Sequence, residues 1–326
     1  MLHTTQFCCQ LQSEEIHDLT RRFNVSADLL SKEIDEISPG ITIALKERSY
    51  DWSMYIYVDF IKLLGKADIS EKDFVEAMKE INRFKQFVFG NDRKEIILTR
   101  IDYRFDVVVK DKKHRQLFLK LYRKSYEKYR FKKKNARYKT SLYFNSKSIN
   151  IIVYDKEEER KAKSQIIEPY EMDVLRFEVR LLNPHLNYKK RRKNFEKTLE
   201  SYMRESTWKD YMLNQLSPFF KAGSFCKINM AEKIIADSGL GPKEREGLRE
   251  FLCDVSIHGF KNMHKLEKTA VSGEKIQKYS KYLIKKRLHQ LNELDINPLL
   301  IPKHTEIDLG GERKIENPLT AIFAGV

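Results

Sequence analysis

The chain has 326 residues, 41% of them hydrophobic, enough for a real core in one large domain or two ordinary ones; that excludes a disordered tail. No apolar run approaches the roughly 20 residues that span a bilayer, and residues 1–12 lack the charged-then-apolar layout of a signal peptide; the expectation is a cytoplasmic protein with no membrane partner. Sixty-two Lys and Arg against 47 Asp and Glu leave a net charge of +15, which suits a polyanionic partner.

Residues 41–45 and 54–60 alternate or run apolar as strands do, and Gly65 closes the second segment. From Ser70 a helix is expected: Ser70 and Asp73 form a capping pair, and Phe74, Met78, Ile81 and Phe84 fall on one stripe. Residues 96–110 are the most strand-like stretch. Residues 111–132 have helical spacing, with Leu117, Leu121, Tyr122, Tyr126 and Tyr129 recurring at threes and fours. Residues 140–144 and 149–154 predict two strands joined by the polar turn Asn145-Ser146-Lys147-Ser148, and residues 173–182 another, stopped by Asn183-Pro184. Beyond Pro184 the pattern turns helical, at roughly 190–212, 230–238, 242–258 and 274–294. The fold expected is α+β: an antiparallel sheet with helices packed on it over residues 1–185, then a mostly helical domain over 186–326.

Between Lys110 and Lys147 stand 15 Lys/Arg and 2 acids, an excess of 15 − 2 = 13 positive charges that includes Lys132, Lys133 and Lys134. A second run, Lys189-Lys190-Arg191-Arg192-Lys193, follows. Such runs are often solvated helix faces. Here they adjoin tyrosine-rich segments, and aromatic stacking with phosphate pairing is how flexible single strands are held, so nucleic acid is the expected partner. Cys8, Cys9, Cys226 and Cys253 fit neither a zinc spacing nor a disulfide framework and read as reduced thiols. None of the 8 histidines pairs with another around an apolar residue on a strand.

Residues two apart on a strand share a face. Arg100, Asp102, Arg104 and Asp106 therefore lie on one face of their strand, with Ile101, Tyr103, Phe105 and Val107 opposite on the core side. Arg176, Glu178 and Arg180 share a face of the later strand. Asn150, Ile152 and Tyr154 point one way, and Lys156 joins them if the strand continues. A polar sheet face is commonly just the solvated one. Alternating carboxylates and arginines, however, bring opposite charges within reach. If these strands are central, Asp102 and Glu178 can share an oxygen-seeking divalent cation. Phenol, with a reference pKa of about 10, is a poor nucleophile unless a metal polarises the phosphate or a cation such as Lys156 favours phenolate.

Three segments in this order resemble the filamentous-phage gene II replication proteins and the Rep-trans plasmid initiators and relaxases: R-I-D at Arg100–Asp102, Y-D-K-E-E-E at Tyr154–Glu159 and R-F-E-V-R at Arg176–Arg180. The T-S-L-Y-F-N-S-K-S stretch before the tyrosine, V-D-F-I-K-L-L-G at residues 58–65 and the helix-like segment at 280–298 add to the likeness. The resemblance implies an HUH-like, Rep-like nicking domain. It implies origin-specific, strand-specific DNA nicking and joining by transesterification, with a 5′-phosphotyrosine intermediate and a free 3′-OH left for a polymerase. Tyr154 matches the nucleophile and Lys156 its electrostatic helper. Asp102 and Glu178 match the ligands of Mg²⁺ or Mn²⁺, with Glu158 (by strand parity) or Glu159 (last position of Y-x-K-x-x-E) as a third. Arg100 and Arg176 would hold phosphate or orient the carboxylates. Arg104, Arg180 and Lys132, Lys133 and Lys134 are counted with the DNA contacts. The implied partners are a single-stranded or hairpin origin, a host helicase and a replication polymerase. The chain lacks the histidine pair that many rolling-circle initiators carry; His185 reads as an ordinary loop histidine. A conjugative relaxase and a non-catalytic DNA-binding regulator on the same fold stay open as alternatives.

Overall fold

The computed structural model describes residues 1–36, 38–48, 51–126, 140–305 and 314–323. In chain order the elements are β1 (Leu2–Gln12), α1 (Ser13–Phe23), α2 (Leu30–Asp35), β2 (Ile41–Arg48), β3 (Asp51–Asp59), α3 (Phe60–Leu64), α4 (Phe74–Phe89), β4 (Ile97–Val108) and α5 (Lys112–Tyr126). There follow β5 (Ser141–Asn145), β6 (Ile149–Asp155), α6 (Lys156–Ala162), β7 (Val174–Leu182), α7 (Asn183–Lys193), α8 (Leu199–Met203), α9 (Glu205–Leu216), α10 (Ile228–Ala236) and α11 (Pro242–His258). Last come the hairpin strands β8 (Glu267–Thr269) and β9 (Lys275–Gln277), then α12 (Lys281–Glu293) and α13 (Thr320–Phe323). Seven strands form an antiparallel sheet in the order β2-β3-β1-β4-β7-β6-β5, so the α+β expectation holds.

The chain divides into two compact units, each made of three segments. The first comprises Met1–Phe105, Asn145–Ile152 and Phe177–Met212. Its β1 alternates: Thr5, Phe7, Cys9 and Leu11 are buried, while Gln6, Cys8 and Gln10 turn to the other face. The register sets Thr4 opposite Asp102, with a shift in register on either side. The Ser70–Asp73 pair is a capping box, with the Ser70 N–H donating to Asp73 at 2.9 Å. It heads a short 3-10 turn that runs into α4, which buries Ala77, Ile81, Phe84 and Val88.

The second unit comprises Asp106–Phe144, Val153–Arg176 and Leu213–Val326. Tyr122 on α5 is fully buried among Phe118, Phe220 and Phe225, so it belongs to the core rather than to a DNA-facing surface. A second apolar cluster joins α10, α11 and α12 through Ile235, Leu248, Phe251, Leu252, Val255 and Leu291. The long helix expected at 190–212 is three shorter helices, α7 to α9, broken where Asn194 adopts a left-handed conformation. The helix expected from residue 274 begins at Lys281, because residues 267–277 form a hairpin instead.

Candidate active site

On the first unit, three adjacent strands bring polar side chains to one face. Asp102 is only 1% exposed. Arg100 Nε donates to its Oδ1 at 2.8 Å, while the other oxygen accepts from the Arg100 terminal nitrogen, from Arg180 Nε at 3.1 Å and from Thr4 Oγ1 at 2.9 Å. Glu178 is buried too, with His3 Nδ1 at 3.5 Å and Arg180 at 3.8 Å. Arg104, also buried, donates to the carbonyl of Ala67. The carboxylates of this face are therefore buried, while Arg100 and Arg180 stay partly exposed. Burial works against the Arg100 charge, but Asp102 more than offsets it and holds the guanidinium above its usual range.

The second unit carries the tyrosine segment. Tyr154 is the penultimate residue of β6 and is buried. Asp155 then ends the strand and caps α6, accepting from the Glu158 N–H at 3.1 Å. Lys156 is thus the first helical residue, which removes the strand parity expected for Lys156 and Glu158. The spatial link to the tyrosine survives by another route: Lys156 Nζ lies 5.8 Å from the Tyr154 ring centroid. Lys156 also donates to Glu159 at 2.8 Å, with buried Glu171 at 3.5 Å. Glu171 in turn accepts a two-point contact from Arg160 at 2.6 and 2.8 Å. Glu158 accepts from Lys112 at 2.8 Å. Arg176 makes a two-point contact with Asp106, at 2.7 and 2.8 Å. Of the two arginines expected to orient Asp102 and Glu178, Arg100 is the one that contacts Asp102, and the guanidinium of Arg176 is directed to a different carboxylate. Lys132, Lys133 and Lys134 lie outside the described residues.

Sequence reading misses two features. His3 sits on β1, an N-terminal strand whose alternation from Thr5 to Leu11 is the available signal. Arg115 is buried at the start of α5 and gathers Asp155 at 2.7 Å, Asp173 at 2.7 Å, Glu157 at 3.2 Å and the Val109 carbonyl at 2.6 Å. In the sequence it is one more charge within a basic run. His185, expected in a loop, lies instead on α7, where it pairs with the Tyr211 hydroxyl at 2.8 Å as a structural histidine does.

The donor set can be tested against a divalent ion. Among the described residues no group of three His, Cys, Asp or Glu side chains has the arrangement to hold one. Both Asp102 oxygens accept from guanidinium groups, and Glu158 and Glu159 are occupied by lysines. As arranged, these carboxylates do not fit Mg²⁺, which needs its oxygen ligands released from such partners.

Residues 63–205, less than half of the chain, match the model of a phage family described as the N-terminal part of a replication-associated protein. That segment resembles the phage gene II-type replication initiators. It includes Asp102, Tyr154, Lys156 and Glu178, and it leaves His3 and everything after Glu205 outside. The curated proteins and the solved structures give no match. Among the described residues no helix is long and apolar enough to cross a membrane.

Proposed function

We propose that the protein initiates rolling-circle replication by nicking and rejoining one strand of origin DNA, with Tyr154 as nucleophile. The match of residues 63–205 to the phage replication-associated family carries this reading, because it spans the tyrosine and the lysine beside it. The Tyr154 phenolic oxygen attacks a phosphodiester, forms a bond to the 5′ phosphate and releases the 3′ oxygen, which takes up a proton. The energy of the broken ester is retained in the phosphotyrosine, so rejoining needs no ATP. Lys156, held by Glu159 and Glu171, is fixed beside the ring and favours developing negative charge on the phenol. Arg100 and Arg180 fix the Asp102 carboxylate. No step here is routed through a metal. If Mg²⁺ or Mn²⁺ is required, Asp102 and Glu178 must exchange arginine contacts for it.

In this reading the partners are a single-stranded or hairpin origin, a polymerase that extends the 3′-OH and a helicase that opens the duplex ahead. The helical segment from residue 186 onward serves as an accessory DNA-binding part. The test is incubation of supercoiled or single-stranded origin DNA with the protein and Mg²⁺ or Mn²⁺. A covalent 5′ adduct is expected with the parent protein and not with Tyr154→Phe. Undiminished nicking by that variant sinks the tyrosine assignment, and binding with neither nick nor adduct favours a regulator.

A further inference from the structure

A cavity of about 910 Å³ opens on the first unit, floored by the sheet and walled by α7. Its floor continues the polar face of β1, since Thr4, Gln6, Cys8 and Gln10 alternate along one side of the strand. The carbonyl ends of its amides are already engaged. Gln6 accepts from Thr99 at 3.3 Å, and Gln10 from Ser53 at 3.1 Å. Asn183 and Asn187 both accept from Lys197, at 2.7 and 2.8 Å. Gln6, Gln10, Asn183 and Asn187 thus bring amide N–H groups to the cavity lining, one of those of Gln10 already donated to Cys8 Sγ at 3.9 Å. Lys190, Arg191 and Lys197 add three positive charges, and among the described residues no Asp or Glu lines the cavity. Burial, and then the neighbouring Lys190, hold the Lys197 ammonium below its usual range, so an incoming anion is favoured there. Tyr55 supplies an aromatic ring on the sheet side.

A wall of donors and cations calls for a ligand rich in acceptors and negative charge, with a flat group for the ring. Nucleotides have that chemistry: phosphate oxygens, base carbonyls and ring nitrogens, and a base that stacks. We propose that this cavity is a nucleotide site that takes one base and its flanking phosphate from single-stranded DNA. Lys190 and Arg191 pair with phosphate, while Gln10 and Asn187 read the base edge. The choice of DNA over a free nucleotide rests on the replication-initiator reading; the donor-lined cavity does not.

The experiment uses the full chain carrying Tyr154→Phe, so that no probe is cleaved. Three probes are compared: a thymidine oligonucleotide of about eight residues, an abasic strand of the same length, and free dTMP. The Lys190→Ala/Arg191→Ala pair is expected to weaken both strands about tenfold and to reduce the salt slope by about 0.7, the value for the one paired phosphate. The Gln10→Ala/Asn187→Ala pair is expected to weaken the thymidine strand several-fold, leaving the abasic strand and the salt slope unchanged. Equal weakening on both strands, or none on either, overturns the base site. Free dTMP binding as tightly as the oligonucleotide overturns the single-strand assignment in favour of a free nucleotide. If the parent nicks origin DNA while every variant binds as the parent does, the site fails and the nicking reading stands. If the expected binding pattern appears with a parent that never nicks, the nicking reading fails and the site stands.

Discussion

Arg115 shows how much one buried cation can organise. It is 2% exposed, and its guanidinium satisfies Asp155 directly after the proposed nucleophile together with Asp173 just before β7. Removing one partner of a buried charge network leaves the others uncompensated, at about 3–5 kcal/mol. Arg115→Met is therefore expected to lower unfolding free energy by that order in urea titration, with nicking abolished in parallel. Arg115→Lys should recover only part, because an ammonium cannot reproduce a planar fork. A drop well under about 1 kcal/mol would show that the carboxylates find water instead. His185 gives a residue-level test of pH. Burial, and then Lys189, lower its pKa to about 4, against about 6.5 for the unfolded chain. Between those values the unfolded chain binds the proton that the folded one refuses. Stability from this group is thus complete above about pH 6.5 and falls as pH drops toward 4. Melting temperatures between about pH 7.5 and 4.5 should fall more steeply for the parent than for His185→Gln, and parallel curves would contradict the assignment. Side-chain types and strand parity make Asp102, Arg100 and Arg180 legible as one group. Parity misleads at Lys156, because Asp155, a poor strand residue and a strong helix cap followed three residues on by Glu158, ends the strand before Lys156.

At the scale of elements, the strands are the most legible, since β4, β5, β6 and β7 carry strong apolar alternation or runs between polar turns. β1 escapes a sequence reading because its outward positions are glutamines and cysteine rather than charges, which blurs the period-two signal. β9 passes for the start of the helix expected from residue 274 because its exposed residues have no buried face to betray a strand. Two glycines test how tightly the loops of the first unit are built. Gly40 sits at φ +82°, and an added Cβ would lie 2.5 Å from the Leu63 nitrogen and 2.8 Å from the Asp59 carbonyl oxygen. Gly65, at φ +63°, has open space around that position. Both substitutions to alanine incur the left-handed backbone cost of about 1–2 kcal/mol. Only Gly40→Ala adds a clash with backbone that cannot swing away. Gly40→Ala is expected to be clearly the more destabilising of the two by thermal melting. Equal effects would mean that the α3 loop yields easily.

For the whole molecule, the charge of +15 is legible at once, whereas its partition is not. The two compact units each gather three separated segments, a division no linear run of sequence displays. That matters for testing the accessory DNA-binding role. Truncation near residue 261 would strip Met263, Tyr279, Leu291, Ile296 and Leu300 from the core around α10 and α11, so failure to bind would report unfolding. Charge removal at the surface avoids this. Lys268 and Lys275 stand exposed on β8 and β9, and Lys281 and Lys285 on α12. A two-stranded ribbon is of a size that the major groove admits, and a hairpin with three-residue strands gains little stability alone. With Tyr154→Phe as background, replacing these four lysines by alanine is expected to reduce the salt slope of duplex binding by about 0.9 for each phosphate left unpaired, up to roughly 3.6. Single-strand binding at the donor-lined cavity should persist, because none of the four lysines belongs to it. An unchanged duplex slope with an intact fold would remove β8, β9 and α12 from duplex recognition and leave the basic run between Lys110 and Lys147 as the next charges to neutralise.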